Sequence, residues 1–161
     1  MKLKREAHAL YWKPQDVGSW FLVGKDIDDM SVAMNGSFEQ KKDITGGVSV
    51  SDSGYQPQVS VPTYYANPED PIYAFLKDIA LNRKSGDDAK AKYLEVIVED
   101  TAAESHDAWQ EDCKIEIVEY GRDTSGLQIA YNIWPDGNRV KGTVTMSEKI
   151  PTFVPDSKSL T

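Results

Sequence analysis

One stretch of this chain has a helical period, and almost everything else that is periodic alternates. Residues 67–86, NPEDPIYAFLKDIALNRKSG, place Ile72, Phe75, Leu76 and Ile79 at i, i+3, i+4 and i+7. That spacing gives a single apolar stripe, and these four residues are the expected packing core of one helix. Asn67 or Asp70 can cap its start, with Pro68 or Pro71 just inside, where no N–H is needed. Gly86 is the expected left-handed stop, after Arg83 and Lys84, whose charge suits the last turn. About 14 helical residues would span roughly 21 Å. Burying the stripe at about 1.5–3 kcal/mol per side chain contributes on the order of 6–12 kcal/mol gross.

The remaining segments read as strands and turns. Residues 1–13 mix charge with Ala9, Leu10, Tyr11 and Trp12 and predict a terminal arm or an edge strand. Residues 19–23 (SWFLV) form a short apolar strand ended by Gly24. From Met30 the alternation is regular, with Met30, Val32, Met34 and Phe38 on one face and Ser31, Ala33, Asn35, Ser37 and Glu39 on the other. Residues 40–47 (QKKDITGG) predict a turn or a long hairpin loop. Val48 and Val50, then Val59 and Val61, begin further strands. After the helix, Leu94, Val96 and Val98, then Cys113, Ile115 and Ile117, then Leu127, Ile129, Tyr131 and Ile133, each alternate with polar neighbours. Residues 100–107 and 120–126 separate these runs as loop and turn, and Pro135, Asp136 and Gly137 form a strong turn signal. Val140, Val144 and Met146 carry a last strand. The tail, 147–161, has two prolines and no alternation, so an arm or a disordered end is expected there. The fold expected is mainly β with one α-helix: a sandwich or barrel of about seven or more strands with a flanking helix. One domain spans 1–161, with an N-terminal arm over about 1–18 and a C-terminal arm over about 147–161.

Composition sets limits on function. At 161 residues the chain can bury a core without staples. No apolar run approaches 18 residues, so no membrane span is expected. The N-terminus lacks the apolar core and cleavage site of a signal peptide. The single Cys113 leaves no internal disulfide and no multi-cysteine metal site. A net charge of −8 opposes gripping nucleic acid through its phosphates.

Two strand faces differ from the usual solvated kind. Lys114 and Glu116 are ordinary charged outward residues, whereas Ser31, Ala33, Asn35 and Ser37, and likewise Gln128, Ala130 and Asn132, are short and uncharged. Such a face is either a patch of small residues in a twisted sheet or a surface close to which something large docks or passes.

Catalytic constellations are sparse. His8 and His106 have neither HxH nor HExxH spacing. Cys113 alternates with apolar residues, which marks a structural thiol. Asp26, Asp28 and Asp29 resemble half a cation loop but lack the glycine and distal glutamate of an EF-hand. Glu95 and Glu99 share a strand face and form a weak acid–base pair candidate. Gly46 and Gly47 are followed by no phosphate-loop lysine. Trp12, Trp20, Trp109 and Trp134 stand near segment ends, where packing is the commoner use. No enzyme activity, metal or cofactor is expected.

Five phrases together resemble the major tail (tail tube) proteins of long-tailed bacteriophages that infect Gram-positive bacteria. They are WFLVGKDIDDMSVAMN (20–35), GYQPQVSVPTYYANPEDPIYAFLKDIALNR (54–83), YLEVIVED (93–100), AWQEDCKIEI (108–117) and DTSGLQIAYNIWPDGNRVKGTVT (123–145). The resemblance implies a virion protein, made in the host cytoplasm, whose hexameric rings stack into a hollow tube with an inner β-barrel shared between subunits. Its implied partners are further copies, a tape-measure protein in the lumen, and terminator and distal tail proteins at the ends. DNA would pass without specific binding, and no membrane is involved. On that reading Ser31, Ala33, Asn35, Ser37, Gln128, Ala130 and Asn132 are lumen-facing candidates. Lys41, Lys42, Asp43 and Ile44, with the C-terminal arm, are candidates for contacts between rings. The alternatives are the ring protein of a contractile tail or secretion tube, and a carbohydrate-binding β-sandwich using exposed Trp and Tyr. A hydrolase would need a pocket with paired carboxylates.

Overall fold

The computed structural model describes residues 2–14, 18–24, 26–27, 29–147 and 150–156. In chain order these residues form β1 (His8–Pro14), β2 (Phe21–Val23), β3 (Ser31–Ala33), β4 (Phe38–Lys42), β5 (Val48–Asp52) and β6 (Gln58–Tyr65). The helix α1 (Pro71–Leu81) follows, then β7 (Lys90–Ile97), β8 (His106–Asp123), β9 (Gly126–Pro135), β10 (Val140–Ser147) and β11 (Ile150–Pro155). Nine strands make one antiparallel sheet in the order β2-β1-β7-β8-β9-β6-β3, with β10 also on β8 and β11 on β10. The hairpin β4–β5 forms a sheet of its own. The architecture is mainly β with one flanking helix, as the periodicities predict.

β8 is the spine. Asp107 to Lys114 pair with β7 on one side, while β10 and then β9 occupy the other. Two bulges lie on either side of β9 at the same level, one in β6 between Val61 and Tyr64, the other in β8 between Ile117 and Glu119. An extra residue bends a strand and increases its twist, so paired bulges curl the sheet along a line. One face of the sheet holds the main core, with Leu10, Trp12, Val59, Val61, Tyr93, Ile115, Tyr131 and Ile133 packed around Ile72, Leu76 and Ile79 of α1. A second cluster, Tyr11, Leu94, Val96, Ala108 and Val144, lies on the opposite face beneath Trp20 and Phe153.

α1 starts where its cap dictates. Asp70 accepts from the Ile72 amide (3.1 Å) and from the Tyr64 hydroxyl (3.0 Å), and Pro71 stands at the first helical position. The helix has 11 residues, shorter than the expected 14, because it stops at Arg83 and not at Gly86. Arg83 takes the left-handed conformation (φ 51°), and the Lys84 amide reaches back 3.0 Å to the Ile79 carbonyl. That six-to-one bond satisfies a terminal carbonyl and closes the helix early. Ile72, Leu76 and Ile79 are buried, whereas Phe75 is half-buried against Trp12, with ring centroids 4.9 Å apart.

Four other segments differ from expectation. The N-terminal stretch is no edge: β1 lies between β2 and β7, and Trp12 is fully buried. The tail carries β11, which pairs with β10 and lays Phe153 on the second cluster. The alternating run from Met30 to Glu39 is two strands, not one, because Asn35 adopts φ 50° and turns the chain out of the sheet. Finally, β8 continues through Tyr120 to Asp123. Its turn is tight, with the Asp123 carboxylate accepting from the Ser125 amide at 2.6 Å.

Candidate functional site

The one-sided character of strands β3, β6, β9 and β8 follows from their registers. Ser31 stands opposite Ser60, Ser60 opposite Asn132, and Asn132 opposite Glu116. Side chains directly opposite in an antiparallel pair share a face, so these four form one polar row across four strands. Ala33 pairs with Gln58 in the next row on β3 and β6. Further along β9, Ala130 faces Glu119 and Gln128 faces Gly121. The opposite side of the same strands carries the core residues Val59, Val61, Ile129, Tyr131 and Ile133.

Five of the seven small residues singled out from the sequence, Ser31, Ala33, Gln128, Ala130 and Asn132, therefore lie on one face. The other two do not. Asn35 donates from its side chain to the Gln56 carbonyl (3.0 Å), and Ser37 pairs by backbone with Ser53 and Gly54 at the foot of the β4–β5 hairpin.

The face also carries charge. Lys114 and Glu116, read from the sequence as an ordinary solvated face unlike this one, lie on it, because their register sets them opposite Trp134 and Asn132. Glu116 accepts from Asn132 (3.2 Å) and from the Trp134 indole (3.1 Å), and Asp123 accepts from Gln128 (2.7 Å). With Glu119, three carboxylates stand among the short side chains, against Lys114 one step along β8. The signal that could have found Glu119 is the turn. Counting back from the reversal at Thr124 and Ser125 brings Gly121 opposite Gln128 and Glu119 opposite Ala130, but it would set Glu116 against Ile133. Only the bulge between Ile117 and Glu119, which the sequence does not mark, moves Glu116 opposite Asn132.

This four-stranded portion is open at both ends. β7 begins at Lys90, opposite Lys114, so from Ile115 to Asp123 no strand among the described residues pairs with the outer side of β8. A groove of about 820 Å³ runs along that edge, walled by Ile79 and Arg83 of the helix end and by Ile117, Val118 and Tyr120 of the strand. Val118 and Tyr120 are exposed. At the other end, β3 pairs three residues with β6, and among the described residues no strand pairs with its other side. By contrast β11 carries Pro151 and Pro155, which withhold N–H donors and blunt that edge.

The residues 41–44 lie at the end of the β4–β5 hairpin, which is exposed on both faces. Lys41 and Lys42 pair with Ser49 and Val48. Asp43 braces the turn, accepting from the Thr45 hydroxyl (2.6 Å), the Gly47 amide (2.8 Å) and the Thr45 amide (2.9 Å). These bonds hold its carboxyl below the usual carboxylate range. Ile44 is fully exposed at the tip, and Phe38, Val48 and Val50 lie exposed on one side of the hairpin among Gln40, Lys42 and Asp52. The stretch that the sequence reads as a turn or long hairpin loop is the end of β4 and the braced turn into β5.

The residues considered for chemistry are occupied elsewhere or isolated. His8 is bonded to Glu95 (2.6 Å), so Glu95 does not pair with Glu99, which lies beyond the end of β7. Burial pushes the Cys113 thiol up, which keeps it protonated. Asp28 lies outside the described residues. Among those described, no group of three or more His, Cys, Asp or Glu side chains is arranged to hold a metal ion. No described helix is long and apolar enough to cross a membrane. Trp134 keeps 37% of its surface exposed, but its indole N–H is committed to Glu116.

Fold and site together define an open, curled antiparallel sheet with a flanking helix, one long polar face and an unpaired edge. Among solved structures, the SPP1 tail tube, determined by solid-state NMR and cryo-EM, is similar to this chain. The likeness covers 87% of this chain and 78% of that one, with a TM-score of 0.62 and 17% sequence identity. The two share a fold. No family model and no curated protein matches the chain.

Proposed function

We propose that this chain is a structural phage protein, the subunit of a tail tube, and performs no catalytic step. Copies join side by side into hexameric rings, and the rings stack into a hollow tube through which DNA leaves the virion. The polar row Ser31–Ser60–Asn132–Glu116, crossing a sheet that is open at both ends, carries this reading. The sequence resemblance and the shared fold with the SPP1 tail tube point the same way.

Strand geometry makes the arrangement quantitative. The outer edge of β8 in one copy meets the outer edge of β3 in the next, a head-to-tail contact that closes into a ring when the rotation allows. Four strands per copy and six copies, at about 4.8 Å per strand, give a circumference of about 115 Å and a backbone diameter of about 37 Å before tilt widens it. Short side chains on the inner face keep such a bore open for a tape-measure protein and then for DNA. Ser31, Ala33, Gln128, Ala130 and Asn132 line it, with Asn35 and Ser37 at its mouth. Glu116, Glu119 and Asp123 make the wall repel phosphate, so that DNA slides without adhering.

Contacts between rings fall to the β4–β5 hairpin. Lys41, Lys42, Asp43 and the exposed Ile44 reach the neighbouring ring, where Phe38, Val48 and Val50 are covered. Terminator and distal tail proteins close the two ends. Negative-stain electron microscopy of the purified chain over a concentration series tests the reading. Rings or hollow tubes of uniform width are expected; a chain that remains monomeric throughout contradicts it.

A further inference from the structure

On the sheet face that carries the main core, beyond that core, five polar side chains from four segments converge. Glu95 of β7 accepts from His8 of β1 (2.6 Å) and from Arg139 (3.0 Å), which lies just ahead of β10. Arg139 also donates to Glu111 of β8 (3.0 Å) and to the Tyr93 hydroxyl (2.8 Å), and that hydroxyl donates in turn to Glu111 (3.0 Å). The Arg139 guanidinium lies over the Trp109 ring, 5.9 Å from its centroid. Tyr93 and Glu111 are buried, and Glu95 is largely so.

The charges of this cluster do not balance without His8. Glu95 and Glu111 supply two negative charges and Arg139 one positive. Around them, Asp107 and Lys141 share the face and cancel, as do Arg5 and Glu6 in the turn before β1, while the exposed Glu99, two residues beyond Ile97, adds a further negative charge. A carboxylate withdrawn from water is costly unless compensated. Protonated His8 is the missing positive charge.

His8 also occupies a mechanical end. It is the first residue of β1, opposite Ile97, and one rung further out the Val98 amide donates to the Ala7 carbonyl (2.7 Å). The exposed residues 2–6 hang from that rung.

We propose that His8 is a pH-responsive latch: protonated, it ties the first residues of β1 to the Glu95–Arg139–Glu111 cluster, and deprotonated it lets that end of the strand open. The hydrogen bond to Glu95 is the largest effect on His8. It raises the imidazole above the ordinary value of 6.5, burial opposes it, and the charge of Glu95 assists. The bond to His8 is likewise the largest effect lowering Glu95, with burial opposing and Arg139 assisting. For a raised histidine, the stabilisation is complete below pH 6.5 and is lost as pH rises through the folded-state value. For a lowered glutamate, it is present above the ordinary value of 4.5 and lost as pH falls through the folded-state value. The latch is therefore closed in mildly acidic solution and opens on the alkaline side.

The test is an NMR titration of His8 in the full chain, together with the hydrogen-exchange protection factor of the Val98 amide, which corrects for the intrinsic pH dependence of exchange. Protection should be level up to pH 6.5. Above it, protection should fall in total by about tenfold for each unit by which the folded histidine value exceeds 6.5. His8→Gln should give low, pH-independent protection. His8→Lys should give high protection over the same range. Glu95→Gln, which keeps the imidazole, should return the His8 titration to about 6.5 or below. A native His8 that titrates at or below 6.5 overturns the proposal, as does a Val98 profile that His8→Gln leaves unchanged.

Discussion

Arg83 ends the helix in a conformation that side chains with a Cβ rarely adopt (φ 51°). Glycine takes that region without a steric penalty, so Arg83→Gly should stabilise the chain by about 0.5–1 kcal/mol in denaturant unfolding. A loss of stability would show that the arginine contributes more through the groove it lines than it costs in backbone strain. Trp12 presents the opposite case. It is fully buried among β1, β2 and α1, touching Phe75 and, edge-on, Phe21 at 6.2 Å. Trp12→Ala should cost about 3–5 kcal/mol, read as a lower unfolding midpoint at unchanged slope. Its importance was hidden in the sequence, because the polar residues around KLKREAHALYWKP disguise a strand that has strand neighbours on both sides. The stripe Ile72, Leu76 and Ile79 was legible, because a helix writes its buried face into local spacing.

At the scale of elements, what was legible was existence, and what was not was pairing. Alternation located most of the strands, but it does not say which strand is a neighbour of which. The tail 147–161 shows why. Pro151 and Pro155 argue against an interior strand, and they sit in an edge strand, β11, where a missing donor costs little. Phe153 packs on the second core cluster, so cutting the chain at Ser147 would remove core as well as any contact between rings. A narrower test of β11 is Gly142→Ala. A Cβ at that position would stand 2.3 Å from the Val154 carbonyl oxygen and 2.7 Å from the Phe153 ring. That substitution should separate β11 from β10 and cost about 1–3 kcal/mol, with exchange protection lost in β11 first. Protection unchanged in β11 would refute the close approach. The break at Asn35 was equally invisible: the alternation of Met30 to Phe38 runs straight through it.

For the whole molecule, the polar face and the open edge of β8 belong to one surface, and neither is visible until the registers are known. The sequence singled out small uncharged residues on two separate runs. Folding brings Ser31 and Asn132 into one row and turns Asn35 and Ser37 away from it. On the proposed lining, Ser31→Lys with Asn132→Lys should leave the width and length of assembled tubes unchanged while slowing genome ejection, because two positive side chains per subunit would then face phosphate. Normal ejection from such tubes would argue against the lining assignment.

The central claim, that copies join through the β8 and β3 edges of this sheet, is tested most directly by cross-linking assembled material. Glu119→Cys combined with Ser31→Cys, and Glu119→Cys combined with Ala33→Cys, put one thiol at each edge on the same face. Cys113 remains, buried and with its thiol pushed up, out of reach of a short bis-maleimide. At least one double variant should yield a covalent ladder that ends at six copies, while the single variants yield none. Tubes that form normally and give no ladder from either double variant would contradict the edge-to-edge ring.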